Sequence, residues 1–165
     1  MQDGPRLLDD HYTGPGPSAP IIDESRQRLA REFGATDVVT ERGEEGAERI
    51  KELTGGLGAH SVVEAVGTQE SMMQAVRSTR PGGHVGFVGV LHDLQIPGEE
   101  FFFSHVHLHG GPAPVRRFLP ELVELIWDGK IDPGKVFDLT LPLEEAAEGY
   151  RAMDECRAIK TLLRP

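Results

Sequence analysis

Three histidines stand at alternate positions in the segment FFFSHVHLHGGPAP, which covers residues 101–114: His105, His107 and His109. Imidazole is the commonest protein ligand for transition metals, so this spacing first suggests a metal site. In an extended strand, however, His105 and His109 would lie roughly 13 Å apart at ~3.3 Å per residue, which is too far for one tetrahedral ion. Chelation by a neighbouring pair together with an outside carboxylate stays open as an alternative.

Composition limits the classes of function. The chain has 165 residues, with 17 basic and 27 acidic side chains and a net charge of −10. This length fits one domain with a hydrophobic core, and the negative charge disfavours nucleic-acid and membrane partners. The sequence shows neither a membrane-spanning apolar run nor a signal peptide, so we expect a cytoplasmic protein. The single cysteine, Cys156, excludes an internal disulfide and a multi-thiolate zinc site built by this chain alone.

Helical and extended patterns alternate after residue 20. The predicted helices are 23–35, 44–56, 68–80, 120–129 and 143–155, and the predicted strands are 36–40, 60–67, 84–90, 106–114, 135–142 and 158–163. Apolar residues three or four apart define the helices, and short β-branched runs define the strands. This alternation is typical of βαβ crossovers, so the sequence predicts an α/β fold with a mainly parallel sheet.

The first 20 residues have a different character, with four prolines and three glycines among polar residues. Such a composition buries too little apolar surface to offset the entropy of ordering. We interpret residues 1–20 as a disordered or linker-like tail and residues 21–165 as the domain.

Small residues follow three of the predicted strands. Parallel α/β sheets bind ligands beyond the carboxyl ends of their strands, and a glycine there lets a flat ring or a ribose approach the backbone. The alternative is that these glycines only make turns. The candidate binding residues are Ala65, Val66 and Gly67, then Gly89 and Val90, then Gly110 and Gly111.

A G-x-G-x-x-A pattern occurs at residues 14–19, GPGPSA, but it is not a phosphate-binding fingerprint. Pro15 and Pro17 lack amide donors that a pyrophosphate would need, and neither a convincing strand precedes the pattern nor a helix follows it. We therefore place no phosphate site there.

From about residue 23 to residue 163 the sequence closely resembles the nucleotide-binding half of the zinc-type, medium-chain alcohol dehydrogenases. The likeness runs from REFGATDVVT through GGHVGFVGV at residues 31–90 and continues in KVFDLTLPLEEAAEGYRAMDECRAIKTLL at residues 135–163. The resemblance implies an incomplete Rossmann-type, doubly wound sheet that holds NAD or NADP. It also implies a homo-oligomer through the last strand of that sheet, residues 106–114, which carries no metal in the family.

The resemblance assigns roles to single residues. Arg26 resembles the basic side chain near the adenosine ribose or phosphate, and Lys160 resembles a basic residue that reaches the pyrophosphate. Residues 65–67 resemble the loop on the adenosine side. Residues 89–90 resemble the backbone that positions the nicotinamide amide, with residues 110–111 nearby.

The departures from the family shape the functional expectation. Full-length members carry a catalytic zinc domain and a G-x-G-x-x-G segment ahead of this region, and this chain shows neither, so we expect no zinc ligands and no catalytic residues in it. One hypothesis is the coenzyme half of an oxidoreductase, inactive alone and completed by a separate catalytic chain. The alternative is a non-catalytic oligomerising remnant, with weak or no nucleotide binding, and a histidine-based metal binder is a third.

Overall fold

The computed structural model describes residues 24–90 and 93–165, together with the backbone of residues 7–9. The chain divides into two compact units, Met1–Ala113 and Pro114–Pro165. The predicted tail, residues 1–20, lies outside the described residues except for the backbone of residues 7–9.

The first unit alternates strands and helices, as the sequence predicts. Its strands have between three and nine residues. In chain order the elements are β1 (Leu7–Asp9), α1 (Glu24–Glu32), β2 (Asp37–Val39), α2 (Gly43–Leu53), β3 (Ala59–Glu64), α3 (Gln69–Ser78), β4 (Thr79–Phe87), α4 (Gly98–Ser104) and β5 (His107–Gly110).

All strand pairs of this unit are parallel, which confirms the predicted α/β class. Strands β3, β4 and β5 form one sheet in that order, and β1 pairs with β2 in a separate two-stranded sheet. Strand β1 lies within residues 1–20, the segment predicted to be a disordered or linker-like tail. The polar composition concealed three residues that hydrogen-bond to β2 through their backbone, a partner that local sequence does not reveal.

The core lies where α3 packs on one face of the three-stranded sheet. Met72, Ala75 and Val76 follow helical spacing along α3, and they are buried together with Val85 of β4 and Val106 before β5. Thr68 begins the helix as predicted, because its hydroxyl accepts a hydrogen bond from the amide of Ser71. Helix α3 therefore fixes the strands whose carboxyl ends carry the candidate residues.

Helix α4 was not predicted, and it changes the interpretation of the histidine segment. The helix ends at Ser104, and His105 follows with φ 52°, a left-handed conformation that ends the helix. The strand begins only at His107. The distance argument for His105 and His109, which assumed one extended strand, therefore does not apply to His105.

The second unit has a two-stranded parallel sheet with helices. Its elements are α5 (Val115–Trp127), β6 (Leu139–Pro142), α6 (Ala146–Asp154) and β7 (Thr161–Arg164), with 3-10 turns at Pro133–Val136 and Leu143–Glu145. Helix α5 begins five residues before Pro120, which the sequence analysis had placed in the first turn. The residues of α6 that are buried are Gly149 and Ala152, whereas Tyr150 is 71% exposed.

No helix in the described ranges is long and apolar enough to cross a membrane.

A bidentate ion pair between Arg77 and Glu100 joins α3 to α4. The Arg77 guanidinium donates from Nε to Glu100 Oε1 at 2.6 Å and from Nη2 to Glu100 Oε2 at 3.1 Å. The hydrogen bond from Arg77 holds the pKa of Glu100 below its ordinary value. Both side chains are about one-third exposed, so solvent screening limits the contribution to stability to about 1 kcal/mol or less.

We expect Glu100→Gln to lower the free energy of unfolding at pH 7 by up to about 1 kcal/mol. Because the folded-state pKa of Glu100 is depressed, its contribution is present above the ordinary glutamate pKa and is lost as pH falls through the lower folded-state value. Urea unfolding of both proteins from pH 7 to 3 checks this. The exposed neighbour Glu99→Gln is the control, and a difference between Glu100→Gln and wild type that persists at pH 3 would contradict the argument.

Candidate functional site

Two of the predicted glycine turns contact each other at the carboxyl end of the sheet. Gly67, after β3, has φ +86°, and a Cβ built there would lie 2.6 Å from the Val90 carbonyl oxygen. A Cβ on Gly89, after β4, would lie 2.6 Å from the Gly67 nitrogen. Real side chains cannot occupy such distances, so the close packing of the two turns requires glycine at both positions. The structure thus brings residues 65–67 and 89–90 together.

Glu64, the last residue of β3, organises the first of these turns. The side chain is only 3% exposed. Its Oε1 accepts hydrogen bonds from the Val66 amide at 2.8 Å, the Gly67 amide at 2.7 Å and the Ser71 hydroxyl at 2.8 Å. A carboxylate that accepts backbone N–H groups makes charge-assisted bonds, so the turn is held from inside by a buried anion.

The hydroxyl groups at the start of α3 continue this network. The Thr68 hydroxyl donates to Ser71 Oγ at 2.9 Å, and Ser71 Oγ in turn donates to Glu64. The Glu64 carboxylate therefore bonds both to the turn just before α3 and to a hydroxyl in the first turn of the helix. The amino end of α2 is also occupied, because the Gly43 amide donates to Gln74 Oε1 at 2.7 Å. Neither helix start presents these groups to a ligand phosphate.

The third predicted turn follows β5. Gly110 pairs in register with Phe87 of β4, and a Cβ on Gly110 would lie 2.1 Å from the Phe87 ring. Gly111 has φ +135° and open space around it. Tight packing against the chain itself therefore explains glycine at positions 67, 89 and 110, which favours the turn-forming alternative for the conformation of these residues.

The packed turns leave an apolar, exposed surface. Ala65 is exposed, and the Val90 side chain is 73% exposed beside the Gly67 backbone. Small apolar groups and free backbone edges suit a flat ring or a ribose, which bind through surface contact and a few backbone hydrogen bonds.

The two basic candidates lie on different elements. Arg26 is half-buried in α1, in the first unit. Lys160 precedes β7 in the second unit, and its amide donates to Asp138 Oδ1 at 3.2 Å. Their roles toward a coenzyme stay predictions.

The histidines form a cluster that the sequence analysis described incompletely. His84 of β4 is in register with His107 of β5, and their rings stack with centroids 4.7 Å apart. His109 lies 5.8 Å from His84 by the same measure. Among the described residues, no three His, Cys, Asp or Glu side chains form a group that could hold a metal ion. The residues present therefore do not fit a zinc site.

Two residues of this region escaped sequence reasoning. Glu64 had one usable signal, an acidic residue that ends a β-branched run directly before a glycine turn. His84 had none, because its position beside His107 depends on the register between strands, which the sequence does not fix.

Comparison with known proteins identifies relatives along most of the chain. The family model for zinc-binding dehydrogenases matches residues 21–128. A protein of Mycobacterium tuberculosis, described as a probable zinc-binding alcohol dehydrogenase, is 42% identical over 134 residues, covering 78% of this chain and 34% of that protein. An NADP-dependent isopropanol dehydrogenase of Entamoeba histolytica is 35% identical over 114 residues, covering 66% of this chain and 31% of its own length.

Solved structures agree with this assignment. The alcohol dehydrogenase TADH of Thermus sp. ATN1 superposes with a TM-score of 0.79 at 28% identity, covering 86% of this chain and 41% of that one. The fold is therefore that of a Rossmann-like nucleotide-binding domain, as the resemblance implied. The chain spans about a third of the length of the curated relatives it matches. It belongs to the zinc-binding dehydrogenase family and corresponds to the NAD(P)-binding domain of the zinc-type alcohol dehydrogenases.

Proposed function

We propose that this chain is the coenzyme-binding half of an alcohol-oxidising oxidoreductase, and that the turns after β3, β4 and β5 receive NAD or NADP. The contact between the Gly67 and Gly89 turns carries this proposal. Ligands of doubly wound sheets bind outside the carboxyl ends of the strands, where these turns lie. The contact places two backbone segments side by side. Residues 65–67 would contact the adenosine side of the coenzyme, and residues 89–90 would contact the nicotinamide amide.

The coenzyme binds weakly in this proposal. At the start of α2 the Gly43 amide already donates to Gln74, and just before α3 the amides of residues 66 and 67 already donate to Glu64. The G-x-G-x-x-A pattern of residues 14–19 is a poor phosphate site. Charge-assisted bonds to phosphate contribute roughly 1.5–3 kcal/mol each. The loss of such bonds leads us to expect a dissociation constant in the high micromolar range or weaker.

The chemical step needs groups outside this chain. Removal of a hydride from an alcohol requires a Lewis acid or a base beside the nicotinamide, and zinc supplies that chemistry when it is bound. In the part of the chain that the structure describes, no three His, Cys, Asp or Glu side chains form a group that could hold a metal ion. We propose that a catalytic domain on a separate chain is the partner that supplies this chemistry.

A titration of coenzyme fluorescence tests the location of the site. We expect Val90→Glu to weaken NADPH and NADH binding at least tenfold, since it places a negative charge against an anionic coenzyme at a side chain that is 73% exposed. Leu57→Glu is the matched control, because Leu57 is 53% exposed after α2 and away from the turns. Equal affinities in the two variants would contradict the site, and sub-micromolar binding by wild type would contradict the weak-binding proposal.

A turnover assay tests whether this chain alone can oxidise an alcohol. The isolated chain with an alcohol, NAD or NADP and added zinc should give no rate above the enzyme-free background. Oxidation at an ordinary rate of about 1–1000 per second would overturn the proposal that catalysis needs another chain.

We also propose that the chain forms a homodimer through β5. In the described part of the first unit, β5 is an edge of the three-stranded sheet and pairs only with β4. An edge strand presents backbone groups that can pair with a second copy, and a two-fold axis would bring β5 against itself in antiparallel orientation. The exposed His107 and His109 side chains would then stand opposite their copies.

Sedimentation velocity tests this interface. We expect His109→Lys to raise the dimer dissociation constant at least tenfold, because it places like charges close together across the two-fold axis. His60→Lys introduces the same charge at an exposed position of β3 and should leave the dimer intact. A monomeric wild-type chain, or equal effects of both variants, would rule out β5 as the interface.

A further inference from the structure

We propose that Glu64 is a positioning residue that sets both coenzyme-facing turns, a role that rests on the proposed function. Glu64 is set back below the surface that the coenzyme would touch, since its side chain is only 3% exposed. It would act through the backbone of the turn that it holds, and not by contact with the coenzyme.

The first step is the shape of the turn after β3. A single oxygen, Oε1, receives the amides of residues 66 and 67 and the Ser71 hydroxyl, all within 2.8 Å. Two consecutive amides aimed at one point fix the orientation of the peptide planes between them. The left-handed φ of +86° at Gly67 is part of this arrangement.

The second step is transmission to the other turn. The two turns approach each other closely at Gly67. A Cβ built on Gly89 would lie 2.6 Å from the Gly67 nitrogen and 2.9 Å from the Gly67 Cα. The Gly67 amide that faces Gly89 also donates to Glu64. A shift of the first turn therefore displaces the backbone of residues 89–90, where the nicotinamide amide is expected.

The third step is the energetic cost of this arrangement. Oε2 of Glu64 is buried and has no hydrogen-bond partner among the described residues. A buried carboxylate oxygen without a donor opposes folding, so stability alone gives little reason for a charge at this position. The charge strengthens the three bonds to Oε1, because hydrogen bonds to an ionised acceptor are about twice as strong as neutral ones.

A positioning role and a purely structural role of Glu64 predict different effects of its substitution. In Glu64→Gln the amide oxygen can still accept the three bonds, but as a neutral group, and no buried charge is left. We expect this variant to melt at or above the wild-type temperature while its turn loosens. A residue needed only for stability would show the opposite pattern, with a lowered melting temperature.

The experiment combines three measurements on the full chain: thermal unfolding, amide hydrogen exchange and fluorescence titration with NADPH and NADH. For Glu64→Gln we expect at least tenfold faster exchange of the amides of residues 66 and 67, and an approximately tenfold higher coenzyme dissociation constant, with no loss of melting temperature. Ser71→Ala removes one of the three donors and should change exchange and affinity in the same direction by less. Glu99→Gln removes an exposed carboxylate and should change nothing.

Two results would overturn the proposal. Unchanged exchange at residues 66 and 67 in Glu64→Gln would show that the carboxylate does not fix the turn. A lower melting temperature with uniformly faster exchange across the first unit would show a structural role only. If wild type binds neither coenzyme, the proposed function and the coenzyme role of Glu64 both fail, and the exchange data still decide whether Glu64 fixes the turn.

Discussion

The site depends on one constraint, the absence of room between the turns after β3 and β4. Gly67 and Gly89 approach so closely that neither tolerates a β-carbon, and the Glu64 carboxylate accepts hydrogen bonds from two amides of the first turn. The turns can come together because β3 and β4 are parallel neighbours and end at the same edge of the sheet. Helix α3 fixes that edge by burying Met72 and Val76 against β4, so the geometry of the site depends on the packing of the core.

Local signals in the sequence predicted local structure well. The α/β class, the helix that begins after Thr68 and the positions of the glycine turns follow from caps, periodicity and breakers within a few residues. Features set by contact between distant segments were missed. Three such features depend on strand register: the pairing of residues 7–9 with β2, the contact between His84 and His107, and the start of β4 at Thr79. The register between β3 and β4 shifts between Ala59 and Ser61.

The glycines illustrate how one residue type supports two arguments. From the sequence, these glycines either receive a ligand or only form turns. In the structure, glycine is needed at positions 67, 89 and 110 because a Cβ there would clash with other parts of the chain, such as the Phe87 ring against Gly110. The two explanations are compatible. Close packing of the turns removes side chains from the edge, and the same removal leaves the backbone accessible to a flat ligand.

In the proposed site, amides that already bond within the chain limit where the phosphates of a coenzyme could bind. A pyrophosphate is best held by free amides at the amino end of a helix, but at α2 the Gly43 amide donates to Gln74, and just before α3 the amides of residues 66 and 67 donate to Glu64. A second anion beside the Glu64 carboxylate would be repelled, so the β3 and β4 turns suit the uncharged parts of a dinucleotide and disfavour its phosphates. In the proposed site, phosphate recognition would therefore come from other positions, and this edge of the sheet would receive the rings and the ribose.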